Sequence, residues 1–168
     1  GLDVDSLDAG CYQRLQHDLR ILSGLYGVLR PFDLIYPHRL EMGTSLAVAG
    51  ATNLYEFWGS DLATLLQQDV QQHEAPVLIN LASQEYMKAV DRQALAVPVI
   101  DVVFQEDRGQ GPRVIGVYAK KARGMMVRAA MLNQWQQPEQ LQHFDLGGYV
   151  FQPQLSSEAR YVFVAQRQ

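Results

Sequence analysis

The sequence predicts a mixed α and β fold, with helices interspersed around a partly antiparallel sheet. Three observations lead there. Strand-like runs rich in Val, Ile and Phe gather from the middle of the chain onward, at 76–81, 97–106, 149–151 and 160–164. Segments with apolar residues at helical spacing fill the first half and recur between the strands. The chain has 168 residues, 48% of them apolar and 19% charged, which suits one folded domain that needs no disulfide or metal for stability.

Composition also excludes functions. A net charge of −4 argues against a general nucleic-acid coat or a polybasic membrane binder, so any polyanion must meet a local patch. Cys11 is the only cysteine, so no internal disulfide exists and an intracellular location is expected. No apolar run approaches the roughly 18 residues of a membrane span, and the start has no signal-peptide pattern. The chain does not begin with Met, as a fragment would not.

Leu7, Cys11, Leu15, Leu19 and Leu22 repeat at helical spacing after Ser6, a plausible N-cap, and predict a first helix. Cys11 lies on its apolar stripe and reads as a small buried hydrophobe. Ser23-Gly-Leu-Tyr-Gly27 breaks the helix, with Gly24 suited to the position after it. With Val28, Leu29, Arg30 and Pro31 this has the outline of a helix-hairpin-helix, whose turn N–H groups at Gly24 and Gly27 would bind phosphate. A plain helix stop fits the same residues. Asp33 to Ser45 reads as a long polar loop or short strands. In it His38, Arg39 and Glu41 form either part of a site or a local ion pair with a solvated histidine.

Asn53 to Gln72 predicts a second amphipathic helix, capped by Asn53 and interrupted by Gly59, with Phe57 and Trp58 read as core in preference to a base-stacking platform. Pro76 to Leu81 is a buried strand. Ser83 caps the short helix that follows it. A strand leading into a capped helix is where α/β proteins place ligands, so Asn80, Ser83, Glu85, Tyr86 and Lys88 are candidates, Lys88 as a phosphate contact. Equally, Ser83 is only a cap and Lys88 only a surface charge. Val97 to Glu106 and Pro112 to Tyr118 read as a β-hairpin around Asp107-Arg-Gly-Gln-Gly111. A short helix at Gln136 to Phe144, a Gly147-Gly148 turn and the strands Tyr149–Phe151 and Arg160–Val164 complete the chain.

The main charge feature lies between the hairpin and that short helix. Six of the 14 Lys and Arg residues fall between Arg108 and Arg128, a stretch with no Asp or Glu in a chain holding 18 acids. As a helix from Ala119 to about Gln134, Ala122, Met125, Met126, Ala129 and Leu132 form one buried arc, and Lys120, Lys121, Arg123 and Arg128 face away. Gly124 sits in the basic side. It costs about 1 kcal/mol of helix propensity relative to Ala and would let a phosphate approach the backbone. A solvated helix face with a tolerated glycine is the plainer reading. The single sign of the charge favours an anion- or phosphate-binding face.

Taken in order, Leu22-Ser-Gly-Leu-Tyr-Gly-Val-Leu-Arg-Pro31, Asp33-Leu34, Arg39-Leu-Glu-Met-Gly43, Phe57-Trp-Gly59, Asn80-Leu-Ala-Ser83 with Glu85-Tyr86, Tyr118-Ala-Lys-Lys-Ala-Arg-Gly124 and Gly148-Tyr149 resemble the YaaA family of peroxide stress proteins, also called DUF328 or UPF0246. The resemblance implies a single YaaA-like domain over 1–168, in a cytoplasmic bacterial protein that limits free iron and protects DNA from oxidative damage. It also implies an α/β fold with a basic cleft and a helix-hairpin-helix element, and DNA binding. Leu22–Pro31 would be the hairpin, and Lys120, Lys121 and Arg123 would line the cleft. Family members begin with a strand and a Ser-Pro-Ala-Lys-Thr segment that this sequence lacks, so a C-terminal fragment missing roughly a third is expected. Such a fragment would leave a sheet edge on which two copies could pair.

Three functions compete. In the first, Lys120, Lys121, Arg123, Arg128, Arg30 and Arg39 contact the phosphates of double- or single-stranded DNA with little base readout. In the second, an enzyme acts on a nucleotide or damaged DNA base, using Lys120 as a nucleophile beside Arg39, Glu41, Asn80, Ser83, Glu85 and Tyr118. The third is direct iron binding, which the sequence does not favour. His17, His38, His73 and His143 are scattered, no His-x-x-x-His or Cys/His cluster exists, and carboxylates do not gather at ligand spacing. No metal, cofactor or membrane partner is expected.

Overall fold

A computed structural model describes residues 1–167. It divides the chain into two compact units. The first comprises Gly1–Cys11, Val77–Leu81 and the chain from Val99 onward; the second comprises Tyr12–Pro76 and Ala82–Pro98.

The first unit is built on a four-stranded sheet of β3 (Leu78–Asn80), β4 (Val99–Asp107), β5 (Tyr149–Phe151) and β6 (Arg160–Gln166), in the order β3-β4-β6-β5. The first two pairings are parallel and the β5–β6 pairing is antiparallel. Burial alternates strictly along β4, so Ile100, Val102 and Phe104 face one side, as the two-residue period of a strand requires. β6 is different: Tyr161 to Ala165 are all buried, as in a strand covered on both faces. Phe104 stacks on Phe163 with ring centroids 5.4 Å apart, and Phe144 meets both rings edge-on. Against them packs α5 (Gly116–Leu132) through Ala119, Ala122, Met126 and Ala129.

The second unit holds α1 (Ala9–Asp18, entering it at Tyr12), a hairpin of β1 (Ile21–Ser23) and β2 (Gly27–Leu29), α2 (Leu54–Trp58), α3 (Asp61–Val70) and α4 (Gln84–Met87). Leu15, Met42, Leu54, Leu62, Ala63 and Met87 are among its buried side chains. The predicted caps hold: Asn53 accepts from the Glu56 N–H at 3.0 Å and Ser83 from the Tyr86 N–H at 3.5 Å. Gly59, at φ +47°, divides the predicted long helix into α2 and α3.

Three sequence expectations are corrected. Leu22–Pro31 is not a helix-hairpin-helix, because β1 and β2 pair antiparallel with Ser23 opposite Gly27. The first helix stops at Asp18, where Arg20 folds back to donate to the carbonyls of Gln16, His17 and Leu19, a basic side chain satisfying a helix end. Gly27 takes φ +74°, and a Cβ there would lie 2.9 Å from the Trp58 ring. Second, Pro112 to Tyr118 is not a strand. Only Arg113 bridges Glu106, and α5 begins at Gly116; β4 pairs along its length with β6 instead. Third, the first helix starts at Ala9 with Asp8, not Ser6, accepting from the Cys11 N–H at 2.8 Å. Elsewhere, the short helix at 136–144 is a 3-10 helix at Pro138–His143, and Leu132 and Phe57, expected in the core, are exposed.

Two arginines meet one carboxylate in the second unit. Arg20 bonds to one oxygen of Asp69, and Arg30 donates to the other at 3.0 Å. The Arg20 hydrogen bond is the first cause holding the Asp69 carboxyl below its ordinary value, with both guanidinium charges adding to it against partial burial. A depressed carboxyl contributes stability that is full above the unfolded value of about 3.9 and is lost as pH falls through the lower folded value. Asp69→Asn is therefore expected to cost about 1–2 kcal/mol at neutral pH. The difference from wild type should shrink as pH falls below the unfolded value and vanish once pH is below the lowered folded one, as followed by urea denaturation across pH.

Candidate nucleic-acid interface

The acid-free stretch is organised by α5. Ala, Met, Lys and Arg dominate it, all good helix formers. Its alanines let the helix lie close to β4, with the buried residues at 119, 122, 126 and 129 setting which side faces the core. Lys120 and Lys121 then project into solvent. No acid sits in the first turn, and these two positive charges follow it in the second.

The remaining basic residues of the helix divide. Arg123 is half-buried, and its Nε is enclosed with no hydrogen-bond partner among the described residues. Burial pulls its guanidinium below the ordinary value. Arg128 turns inward instead. It donates to the Leu2 carbonyl at 3.2 Å, the Asp3 carbonyl at 2.9 Å and Ser6 Oγ at 2.6 Å, fastening the first residues of the chain to α5. Gly124 serves the same junction: a Cβ there would stand 2.8 Å from the Leu2 nitrogen. Its missing side chain admits the chain's own backbone.

Beside this face a cavity of about 490 Å³ opens within the first unit. Glu106, Arg108, Tyr118, Lys121, Tyr149 and Arg167 line it. Glu106 continues the inward positions of β4 after Phe104 and is 1% exposed. Arg167 Nε donates to one of its oxygens at 3.2 Å, Tyr149 Oη to the same oxygen at 3.3 Å, and Arg108 Nη2 to the other at 3.3 Å. The Arg108 guanidinium also lies over the Tyr118 ring, 5.4 Å from its centroid. Tyr118 first and Glu106 second hold Arg108 firmly charged, above its ordinary value. Burial, then the negative charge of Glu106, pushes the Tyr149 hydroxyl up, so it stays a neutral donor. Three cations against one carboxylate leave the cavity suited to an anion.

Sequence reasoning missed Glu106, Arg108, Tyr149 and Arg167. The signal was present for Glu106: an alternating strand places the position after Ile100, Val102 and Phe104 inward, and a carboxylate there needs cationic partners.

The other sequence candidates are not among the residues that line this cavity. Asn80 belongs to the first unit and donates to Asp101 Oδ1 at 2.7 Å. The rest lie in the second unit. Arg30 is bound to Asp69, and Arg39, 93% exposed, stands 3.9 Å from Glu41. The Gly24 carbonyl accepts from the Trp58 indole at 3.1 Å, and Ser23 Oγ takes the Tyr26 N–H of the turn at 3.1 Å. Glu85 accepts from the Gly43 N–H at 2.8 Å, Ser83 caps α4, and the Lys88 ammonium sits over the Tyr55 ring at 4.6 Å. Burial, then the charge of Glu85, pushes the Tyr86 hydroxyl up.

The architecture is that of an α/β protein whose sheet carries one acid-free basic helix. The chain belongs to the family of the peroxide stress protein YaaA, whose family model matches residues 1–155. It is 52% identical to a UPF0246 protein of Caulobacter vibrioides and 51% identical to one of Hahella chejuensis, over 97% of this chain and 64% of each of those proteins. A UPF0246 protein of Ralstonia nicotianae is 47% identical over 97% of this chain and 63% of its own length. The chain thus spans somewhat less than two thirds of the relatives it matches. Among the described residues no helix is long and apolar enough to cross a membrane.

Glu106→Ala would leave Arg108, Arg167 and Tyr149 facing one another without their shared acceptor. A loss of about 3–5 kcal/mol is expected. Glu106→Gln keeps the shape and should lose about 1–3 kcal/mol. Urea denaturation of both variants measures this, and equal, near-zero losses would show that the cluster does not hold the end of β4.

Proposed function

We propose that this chain binds DNA through the basic face of α5, with little sequence preference, and so protects DNA during peroxide stress by limiting the iron that reaches it. The observation that carries the reading is the pairing of charge. Lys120, Lys121 and Arg123 have neither an ion pair nor a hydrogen bond from their side chains among the described residues. Arg14, Arg20, Arg30 and Arg39 of the second unit all face carboxylates. Unpaired like charges close together on one helix are unfavourable alone and favourable beside an anion.

A polyanion with a regular phosphate spacing satisfies several such charges at once. Arg108, Lys121 and Arg167 at the cavity extend the same positive region toward a phosphate or a splayed-out nucleotide. Little base readout follows from lysine-rich contact, since bidentate base recognition uses Arg, Asn and Gln in a groove-reading helix. The peroxide-stress role of the family supplies the setting, and DNA as partner makes that setting cytoplasmic. Protein seated on the backbone displaces condensed cations. Ferrous iron held there is what peroxide converts into a source of hydroxyl radical beside the sugar.

Anisotropy titrations with short duplex and single-stranded oligonucleotides across a salt series test this. With about four to six contacts, log affinity should fall with log salt at a slope of about −0.9 per contact on duplex. Lys120→Gln and Lys121→Gln, both at exposed positions, should each reduce that slope by about 0.9 while leaving the fold intact. Salt-insensitive binding, or affinity unchanged in the double variant, would overturn the assignment.

A further inference from the structure

The geometry points to a second site, in the other unit, that binds a divalent first-row transition ion through His17, Asp18 and His73. The two histidines are far apart in sequence, yet their rings meet at 4.5 Å between centroids. Both turn Nδ1 toward the same carboxylate oxygen: His17 Nδ1 is 2.6 Å from Asp18 Oδ1, and His73 Nδ1 is 3.9 Å from it. One ligand atom from each of the three residues lies within 4.8 Å of the other two. A cation about 2.1 Å from each needs them roughly 3.0–3.4 Å apart, so His73 must close on Asp18 from 3.9 Å and His17 must open from 2.6 Å, both small side-chain rotations.

The surroundings fix this arrangement. Arg14 Nη2 holds the other Asp18 oxygen at 3.3 Å, which leaves Oδ1 aimed at the imidazoles. Arg20 donates to the His17 carbonyl at 2.9 Å and also bonds to Asp69, shortly before His73 in the chain. One guanidinium thereby ties the end of α1, carrying two ligands, to the end of α3, just before the third. Such outer contacts orient metal ligands. His17 and Asp18 also sit at the last turn of α1, where the helix dipole favours a cation.

Ligand chemistry narrows the ion. Two imidazoles and one carboxylate suit Zn²⁺, Fe²⁺, Co²⁺ or Ni²⁺, not the all-oxygen preference of Mg²⁺ or Ca²⁺. Three protein ligands leave coordination positions for water, and His17, 63% exposed, keeps the site open to solvent. Affinity on the order of micromolar is expected, weaker than a closed four-ligand site.

This site stands independently of DNA binding and is tested without it. Isothermal titration of the chain with Zn²⁺, in the presence of excess Mg²⁺, should show one ion per chain. His17→Ala and His73→Gln should each weaken binding at least about 100-fold, beyond the loss typical of an outer contact, with circular dichroism unchanged. His38→Ala and His143→Ala should leave it unaltered. Absence of Zn²⁺ binding at micromolar concentrations, or wild-type affinity in either ligand variant, would overturn the assignment.

Discussion

The first unit depends on the parallel pairing of β4 with β6. That ladder runs from Asp101 opposite Arg160 to Asp107 opposite Gln166. The Arg167 N–H extends it by donating to the Asp107 carbonyl at 2.9 Å. Its register puts Phe104 beside Phe163, the stacked pair of the core, and Glu106 beside Ala165, small enough to leave room for a carboxylate and its partners. It also carries Arg167 to Glu106. A one-residue slip would turn Glu106 outward and bring Gln105 in. The same register that packs the aromatic core therefore builds the cavity wall.

Much of the fold was legible because much of it is local. Apolar spacing marked the positions of α3 and α5, and Asn53 and Ser83 marked two helix starts by caps that the structure contains. Gly59 broke the helix that the periodicity had joined. What was not legible is long-range. A parallel pair needs a crossover connection, so nothing near β4 in sequence names β6 as its neighbour. The run after the Asp107 turn was read as a hairpin because the turn chemistry was right: Asp107 Oδ1 accepts from the N–H groups of Gly109 and Gly111. The turn exists, but it delivers one bridge and then a helix. Similarly, two glycines after α1 suggested a helix-hairpin-helix, whereas Arg20 ends the helix early and the glycines close a β-hairpin.

The site shows the same division. The excess of charge on α5 is a property of sequence alone and survives intact. The destination of each charge is not. Arg128 and Arg123 are both basic residues of α5, yet one fastens the chain start and the other is enclosed without a partner. Gly124 was read as space for a phosphate, and the structure fills that space with Leu2 backbone. Histidines that looked scattered meet, because the ends of α1 and α3 are clamped together by Arg20 and Asp69.

What distinguishes a binding face from a solvated one is the fate of its counter-charge. A solvated face mixes signs, so that each ion finds a partner within a Debye length of about 8–10 Å. The second unit, with two arginines on Asp69, follows that rule. α5 does not. Two exposed lysines and an enclosed arginine share one helix with no acid within it to answer them. Of the nearby carboxylates, Glu106 is already occupied by Arg108, Arg167 and Tyr149, and Asp3 lies 3.7 Å from Arg128. Their negative charges are already matched by arginines, which leaves Lys120 and Lys121 without a counter-charge from either. A fold that commits these acids to other arginines keeps Lys120 and Lys121 available for an external anion, and phosphates in series are the anion that meets several charges together.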